Sequence, residues 1–356
     1  MKKNRLERVL ENMERMGLGQ LVVSDPSSIY YLTGISIDPG ERLFALLVKG
    51  DGNATLFTNR LFPLAEQTSL AIDYHSDGQD AVGMLAEAIA DGPLGVDKVW
   101  SARFLLNLLG KRTGIKPVLG SEAVDNARMY KDAQEVQLMR AASRVNDAAM
   151  AETIAALAPG ISEGKMMGIV GDLHVKHGAD AALPQLICYG VGSSEPHHES
   201  GQATLQEGDS VILDIFAPVQ RYWCDMTRTV FYKSVTDEQK KIYGIVKAAN
   251  LAGIKAVAPG VPLQEIDAAA RKVIEDAGYG QYFTHRLGHS IGLDVHEPPD
   301  CSAVSPAIAQ PGMCFSIEPG IYIPGKWGVR IEDLVVVTED GVEVLNNYSK
   351  ELQIVE

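Results

Sequence analysis

The chain is poor in cysteine: Cys188, Cys224, Cys301 and Cys314 are its four, and no two of them form a Cys-x-x-Cys pair. Three lie in or beside apolar, strand-like runs, so they read as reduced, buried thiols rather than as a disulfide framework. Basic residues are also in deficit. Lys and Arg number 32 against 46 Asp and Glu, for a net charge of -14, which leaves no excess to neutralise phosphates and argues against a nucleic-acid partner. No apolar run of signal-peptide kind follows the basic start Met1-Lys2-Lys3-Asn4-Arg5, and no stretch approaches the roughly 20 apolar residues that cross a bilayer. A cytoplasmic protein free of the membrane is the expectation. What stands at the start instead is Leu6, Val9, Leu10 and Met13 at helical spacing before Gly17, an amphipathic helix.

With 356 residues the chain has room for two domains with sizeable cores. Residues 1–125 alternate short strands and helices in a mixed α/β pattern, with strands expected at 21–23, 43–48, 54–57 and 94–96. A helix is expected to start at Ser101, to bury Phe104, Leu105, Leu108 and Leu109, and to end near Gly114. This half carries no chemical motif. Asp132 and Glu135 form an Asp-x-x-Glu start signal for a long helix running to about Ala156. The domain boundary falls before it, giving domains at 1–125 and 126–356.

Chemistry concentrates in the second domain, where five residues suited to hard or borderline divalent metals stand out. They are Asp214 after Val211-Ile212-Leu213, Asp225 in Cys224-Asp225-Met226-Thr227-Arg228-Thr229, His289 in His285-Arg286-Leu287-Gly288-His289, Glu318 in Ser316-Ile317-Glu318-Pro319-Gly320, and Glu332 in Arg330-Ile331-Glu332-Asp333. Burying a carboxylate costs several kcal/mol unless a cation or hydrogen bonds compensate it, so acids set at the ends of apolar strands imply a positive partner. One such acid is more often a helix cap or a surface charge; five in register are a ligand set. Four carboxylates and one imidazole suit a pair of ions sharing carboxylate bridges and activating one water.

The second domain also repeats itself. Leu157-Ala158-Pro159-Gly160-Ile161 recurs as Val257-Ala258-Pro259-Gly260-Val261, and Gly208 to Asp214 recurs about a hundred residues later as Gly312 to Glu318. A second acid follows in each half, Asp225 and Glu332, at distances that fit a strand, a turn and a returning strand. Two hairpins related by a pseudo-twofold would then bring four carboxylates to one centre, each pair at one end of its hairpin.

These motifs resemble the metallopeptidase family that includes Xaa-Pro dipeptidase (prolidase), aminopeptidase P, methionyl aminopeptidase and creatinase. The resemblance covers the whole chain, since Ile29-Tyr30-Tyr31-Leu32-Thr33-Gly34 matches the N-terminal domain of the prolidase and aminopeptidase P branch. It implies an α/β (α+β) protein: a smaller creatinase-like N-terminal domain and a pita-bread catalytic domain with an internal pseudo-twofold. Carried over residue by residue, it implies that Asp225 and Glu332 bridge two divalent ions, that Asp214 completes one, and that His289 and Glu318 complete the other. Manganese is the expected metal, with cobalt or zinc as alternatives. Glu318 also becomes the proton shuttle, while His197, His296 and Arg330 match the family's substrate-site residues.

The resemblance further implies a homodimer and a proline-containing di- or oligopeptide as substrate. The favoured activity is Xaa-Pro dipeptidase; aminopeptidase P acting on longer peptides and a catalytically silent binding protein are the alternatives. Methionyl aminopeptidase is disfavoured by the N-terminal domain, and metal-independent creatinase by the intact ligand set. Phe216, Cys224, Arg286, Leu287 and Trp327 depart from the usual pattern and bear on pocket shape. Trp327 is expected to narrow the exit, and Arg330 or Arg286 to hold a substrate carboxylate. His285 is read as orienting His289 through a hydrogen bond, Arg330 as neutralising Glu332 at least, and His198 and His75 as structural or exposed.

Overall fold

The computed structural model describes residues 1–64 and 70–356. Two compact units divide the chain, Met1–Arg128 and Met129–Glu356. No helix among the described residues is long and apolar enough to cross a membrane.

The first unit runs α1 (Lys3–Arg15), β1 (Gln20–Val23), α2 (Pro26–Thr33), β2 (Ala45–Lys49), β3 (Ala54–Asn59), β4 (Ala71–His75), α3 (Ala81–Ala88), β5 (Gly92–Val96), α4 (Ala102–Lys111), β6 (Ile115–Leu119) and α5 (Glu122–Met129). Its strands form one mixed sheet in the order β4-β3-β2-β1-β5-β6. β1, β2 and β3 pair antiparallel, while β4, β5 and β6 join in parallel; a parallel pair needs a crossover, and α4 makes the one between β5 and β6. Val22, Leu47, Phe57, Leu85, Leu94 and Leu108 lie in its core.

The four strands expected from sequence fall within or overlap β1, β2, β3 and β5. β4 and β6 escape the pattern because they are the two edges, β4 only partly buried and β6 mostly exposed, and Pro117 in β6 is tolerated only at an edge. α4 begins after Ser101 as expected and ends at Lys111, three residues before Gly114. His75 is structural: its Nε2 lies 2.9 Å from the Leu43 carbonyl.

The second unit runs α6 (Ala133–Ala155), α7 (Glu163–His177), β7 (Leu186–Tyr189), β8 (Ser210–Val219), β9 (Tyr222–Tyr232), α8 (Asp237–Ala256), α9 (Leu263–Asp276), β10 (Gly288–Ser290), β11 (Glu297–Cys301), β12 (Cys314–Ile317), β13 (Gly320–Ile323), β14 (Trp327–Arg330), β15 (Asp333–Thr338), β16 (Gly341–Val344) and β17 (Ile354–Val355). Asp132 and Glu135 cap α6 reciprocally, as their spacing predicts. All four cysteines are free and buried.

The duplication is visible in the order of elements, a helix pair followed by strands, twice. It extends to single hydrogen bonds. Gly160 donates to Leu205 O and Leu205 to Ile161 O in one half, and Gly260 donates to Ala309 O and Ala309 to Val261 O in the other. Isolated bridges Ser162–Thr204 and Pro262–Ile308 match in the same way. Each half also buries an asparagine on its first helix that donates to a strand carbonyl beside an acid: Asn146 Nδ2 to Ile215 O at 2.8 Å and Asn250 Nδ2 to Ile317 O at 2.9 Å.

The hairpins differ from the expected form in one respect. Asp214 lies mid-strand, because β8 continues to Val219 and turns through Gln220 and Arg221, both at positive φ, into β9. Only the second half has its acids at strand ends, where Ile317 pairs with Asp333 and Gly320 with Arg330, leaving Glu318 and Glu332 facing each other between two ladders.

His174 on α7 is fully buried and contacts Asn146 Oδ1 through Nε2 at 2.8 Å. Asn146 uses its amide NH₂ on Ile215, so the imidazole Nε2–H must be the donor. Burial, with a smaller contribution from His177, lowers its pKa from 6.5 to about 4. Between those values the unfolded chain binds the proton and the folded chain does not, so stability is full above pH 6.5 and falls as pH drops toward 4. The loss from this residue is expected to reach about 3 kcal/mol at most. Urea denaturation at pH 7 and pH 4.5, on the wild type and His174→Gln, checks it: the variant should show a smaller difference between the two pH values.

Candidate metal centre and active-site cavity

Directly paired residues of an antiparallel ladder share a face. β8 and β9 pair Asp214 with Thr227 and Phe216 with Asp225, so both aspartates, Phe216 and Thr227 point to one side. Thr227 Oγ1 donates to Glu332 Oε2 at 2.8 Å, and Glu332 N donates to Thr227 O at 3.0 Å; these bonds join the two halves of the unit. His289 comes from β10, its N–H donating to Ser316 Oγ, which in turn donates to Glu318 Oε1 at 3.1 Å. The close approach requires Gly288, since a Cβ there would lie 1.9 Å from Ser316 O.

All five expected ligands line one cavity of about 460 Å³. Candidate ligand atoms of Asp225, His289 and Glu332 lie within 4.8 Å of one another, and His289 Nε2 is 3.6 Å from Glu318 Oε1. Asp214 is held beside them by Arg330 Nη2, 2.8 Å from Oδ2.

The donor set fits divalent cations. Asp214 Oδ1, Asp225 Oδ1 and Glu332 Oε1 are buried oxygens without a hydrogen-bond partner, an expensive arrangement that a cation relieves. Burial and then the charge of Glu332 push the Asp225 carboxyl well above the usual range, and burial and then Glu318 do the same to Glu332. Burial raises Glu318 to about 7 against the opposing charge of Arg330. His289 is lowered to about 3 by burial and then by His296, so it is neutral and able to ligate. Carboxyls that resist ionising while bare are the groups a dication would hold ionised.

His197 and His296, both exposed to the cavity, complete its wall with Arg286. The His289 and His296 rings meet edge to face at 4.2 Å. His198 is structural as read: it contacts Glu163, a fully buried carboxylate that also accepts from the backbone N–H of Tyr189 and Gly201 and so fixes the loop bearing His197.

Three expectations change. Arg330 pairs with Asp214 rather than Glu332, because Thr227 Oγ1 stands between, donating to Glu332 and accepting from Arg330 Nε. Its remaining contacts are Tyr322 OH and Pro196 O, so a buried guanidinium is largely consumed inside the protein. His285 does not reach His289: its nitrogens lie 2.7 Å from Arg286 O and 2.9 Å from Tyr322 OH, and it steadies Asp214 through Tyr322 and Arg330. Trp327 is absent from the cavity lining and packs instead against the core of the second half.

Sequence reasoning passed over Thr227, Tyr322, Glu163 and the two asparagines, whose roles arise from cross-strand contacts without a local signature. Arg228 was also passed over. It is fully buried, donates to the carbonyls of Thr227, Glu332, Tyr348 and Ser349, and pairs with Asp333 at 2.8 Å.

Comparison with known proteins identifies two matching families: Metallopeptidase family M24 over residues 137–339 and the Creatinase/Prolidase N-terminal domain over 5–130. The chain is 35% identical over 349 residues to the probable dipeptidase PepE of Mycobacterium tuberculosis, covering 95% of this chain and 92% of that one. The crystal structure of dipeptidase PepE from Mycobacterium ulcerans superposes with a TM-score of 0.92 at 35% identity, covering 99% of this chain and 97% of that one. Recombinant prolidase from Thermococcus sibiricus gives a TM-score of 0.95 at 31% identity, covering 99% of both chains.

A ligand that binds only the folded state stabilises it by about 2.7 kcal/mol at a hundred times its Kd. Added Mn²⁺ is therefore expected to raise the thermal unfolding midpoint of chelator-treated protein, and Asp225→Asn to abolish most of that rise. An unchanged midpoint in the wild type at saturating Mn²⁺, Co²⁺ and Zn²⁺ would refute a metal centre here.

Proposed function

The chain belongs to metallopeptidase family M24, with a creatinase/prolidase N-terminal domain, and on that premise we propose that it is an Xaa-Pro dipeptidase dependent on two divalent ions. The observation that carries the proposal is the layout of one cavity. Four carboxylates and a neutral imidazole line it beside two histidines and an arginine with unused donors. Asp214, Asp225, His289, Glu318 and Glu332 would hold the ions. When bound, the ions supply the charge that acidifies a water and polarises the scissile carbonyl.

The protein's own groups do the rest. Glu318, poised near neutrality, takes the proton of the attacking water and passes it to the departing proline nitrogen. His296 donates to the developing oxyanion, and His197 holds the proline side of the substrate. The proline nitrogen of the scissile bond bears no N–H, so recognition must rest on ring shape and on the free carboxylate. Arg286 is the residue for that carboxylate. Its side chain is 36% exposed and pairs with Asp300 at 2.5 Å, whereas the buried Arg330 guanidinium is largely taken up by Thr227, Tyr322, Pro196 and Asp214. Manganese, a cytoplasmic setting and a homodimer complete the proposal.

Glu318→Gln is expected to lower kcat by about 10² to 10⁴ with the fold intact; metal content measured on the same sample separates loss of the shuttle from loss of an ion. Near wild-type turnover at full occupancy would move the shuttle elsewhere. The dipeptidase assignment predicts a higher kcat/KM for Ala-Pro than for Ala-Pro-Ala by about tenfold or more, and Arg286→Ala should erase most of that difference. A clear preference for Ala-Pro-Ala would make the protein an aminopeptidase P.

A further inference from the structure

Most residues that line the cavity are charged or polar by type, and its apolar members are Leu186, Pro196, Phe216 and Val295. Phe216 is held through both its backbone groups and its ring. Its backbone N–H donates to Gln185 Oε1 at 2.8 Å and its carbonyl accepts from Gln185 Nε2 at 3.2 Å. The buried Gln185 side chain thus continues the ladder beyond the end of β7. The ring rests against Trp223, centroids 6.2 Å apart, and Trp223 is itself pinned by bonds from its backbone N–H to Gly292 O and from its indole N–H to Leu293 O. Leu186 pairs with Asp214 across β7 and β8, so it flanks the same face.

A dipeptide carries an ammonium at one end and a carboxylate at the other. The aspartate side of the cavity attracts the first and Arg286 the second, which puts the side chain of the first residue against β8, where Phe216 follows Asp214 by two positions. We propose that Phe216, with Leu186 and Val295, selects the residue preceding proline, favouring apolar side chains and disfavouring charged ones. The inference rests on the dipeptidase reading. A charged side chain placed there loses its water against an aromatic wall that offers no hydrogen bond, whereas a leucine or methionine side chain gains apolar contact.

The test measures kcat/KM for Leu-Pro, Met-Pro, Glu-Pro and Lys-Pro, and in parallel for Leu-Ala, Met-Ala, Glu-Ala and Lys-Ala, on metal-loaded wild type, Phe216→Leu and Phe216→Ala. The wild type is expected to favour Leu-Pro over Glu-Pro and Lys-Pro by about tenfold or more. Phe216→Ala should shrink that ratio at least about fivefold and Phe216→Leu should retain most of it. If the alanine variant does not fold, Phe216→Thr, which suits a strand, carries the same measurement. An unchanged ratio in a folded alanine or threonine variant, or a wild type without apolar preference, overturns the role of Phe216 while leaving the peptidase reading in place. Cleavage of the alanine series alone overturns the proline reading, and the ratio within that series then decides for or against Phe216. Cleavage of neither series at full metal occupancy overturns both.

Discussion

Four carboxylates gathered in one cavity repel one another and lose water, and the second unit is organised around holding them together. Their placement draws on fixed partners rather than on packing. Thr227 donates to Glu332, Arg330 pairs with Asp214, and Ser316 donates to Glu318. None of these satisfies every oxygen, and the ones left over belong to Asp214, Asp225 and Glu332. Fixed partners thus settle one oxygen each of Asp214, Glu318 and Glu332. A buried polar group costs least when its geometry is already set, and here that geometry is set by groups on neighbouring strands.

The duplication explains how one chain delivers four acids from two directions. Each half places a helix pair over its strands and buries one asparagine to hold the strand carbonyl next to an acid. The halves are then stitched together by backbone and side-chain bonds from β9 to the segment around Arg330 and Glu332. Thr227 and Thr229 both take part, the latter exchanging bonds with the backbone of Arg330, and Arg228 between them reaches the Glu332 carbonyl and Asp333. In a strand, alternate residues face opposite sides. Thr227 and Thr229 therefore work on one face while Arg228 works on the other, and three consecutive residues clamp the joint from both.

The relations between the two halves are also where they diverge. Asp214 and Asp225 sit within a continuous hairpin, whereas Glu318 and Glu332 interrupt one between β12–β15 and β13–β14. Between the two ladders the Glu318 backbone N–H donates to Leu287 O, and its carboxylate lies 3.6 Å from His289 Nε2 with about a sixth of its side chain exposed. Partial exposure suits the proton-shuttle role proposed for Glu318, while Asp225 and Glu332, more deeply buried, suit fixed positions.

Much of this was legible in the chain itself. The five acid and imidazole positions, the repeat of residues 157–161 at 257–261, the helix start at Asp132 and the four central strands of the first unit all follow from local patterns: apolar runs, turn glycines, reciprocal capping. Such features depend on neighbours within a few residues, which sequence displays. Edge strands β4 and β6 did not show because half-exposed strands need no apolar periodicity. The partner of Arg330, the contacts of His285 and the place of Trp327 were decided only in three dimensions. Arg330 is two residues from Glu332 and 116 from Asp214, and it chooses the distant one because a threonine from another strand occupies the nearer space. Sequence determined which groups are chemically costly to bury; the tertiary structure decided which of them face one another, because strand register alone brings residues a hundred positions apart within hydrogen-bond reach.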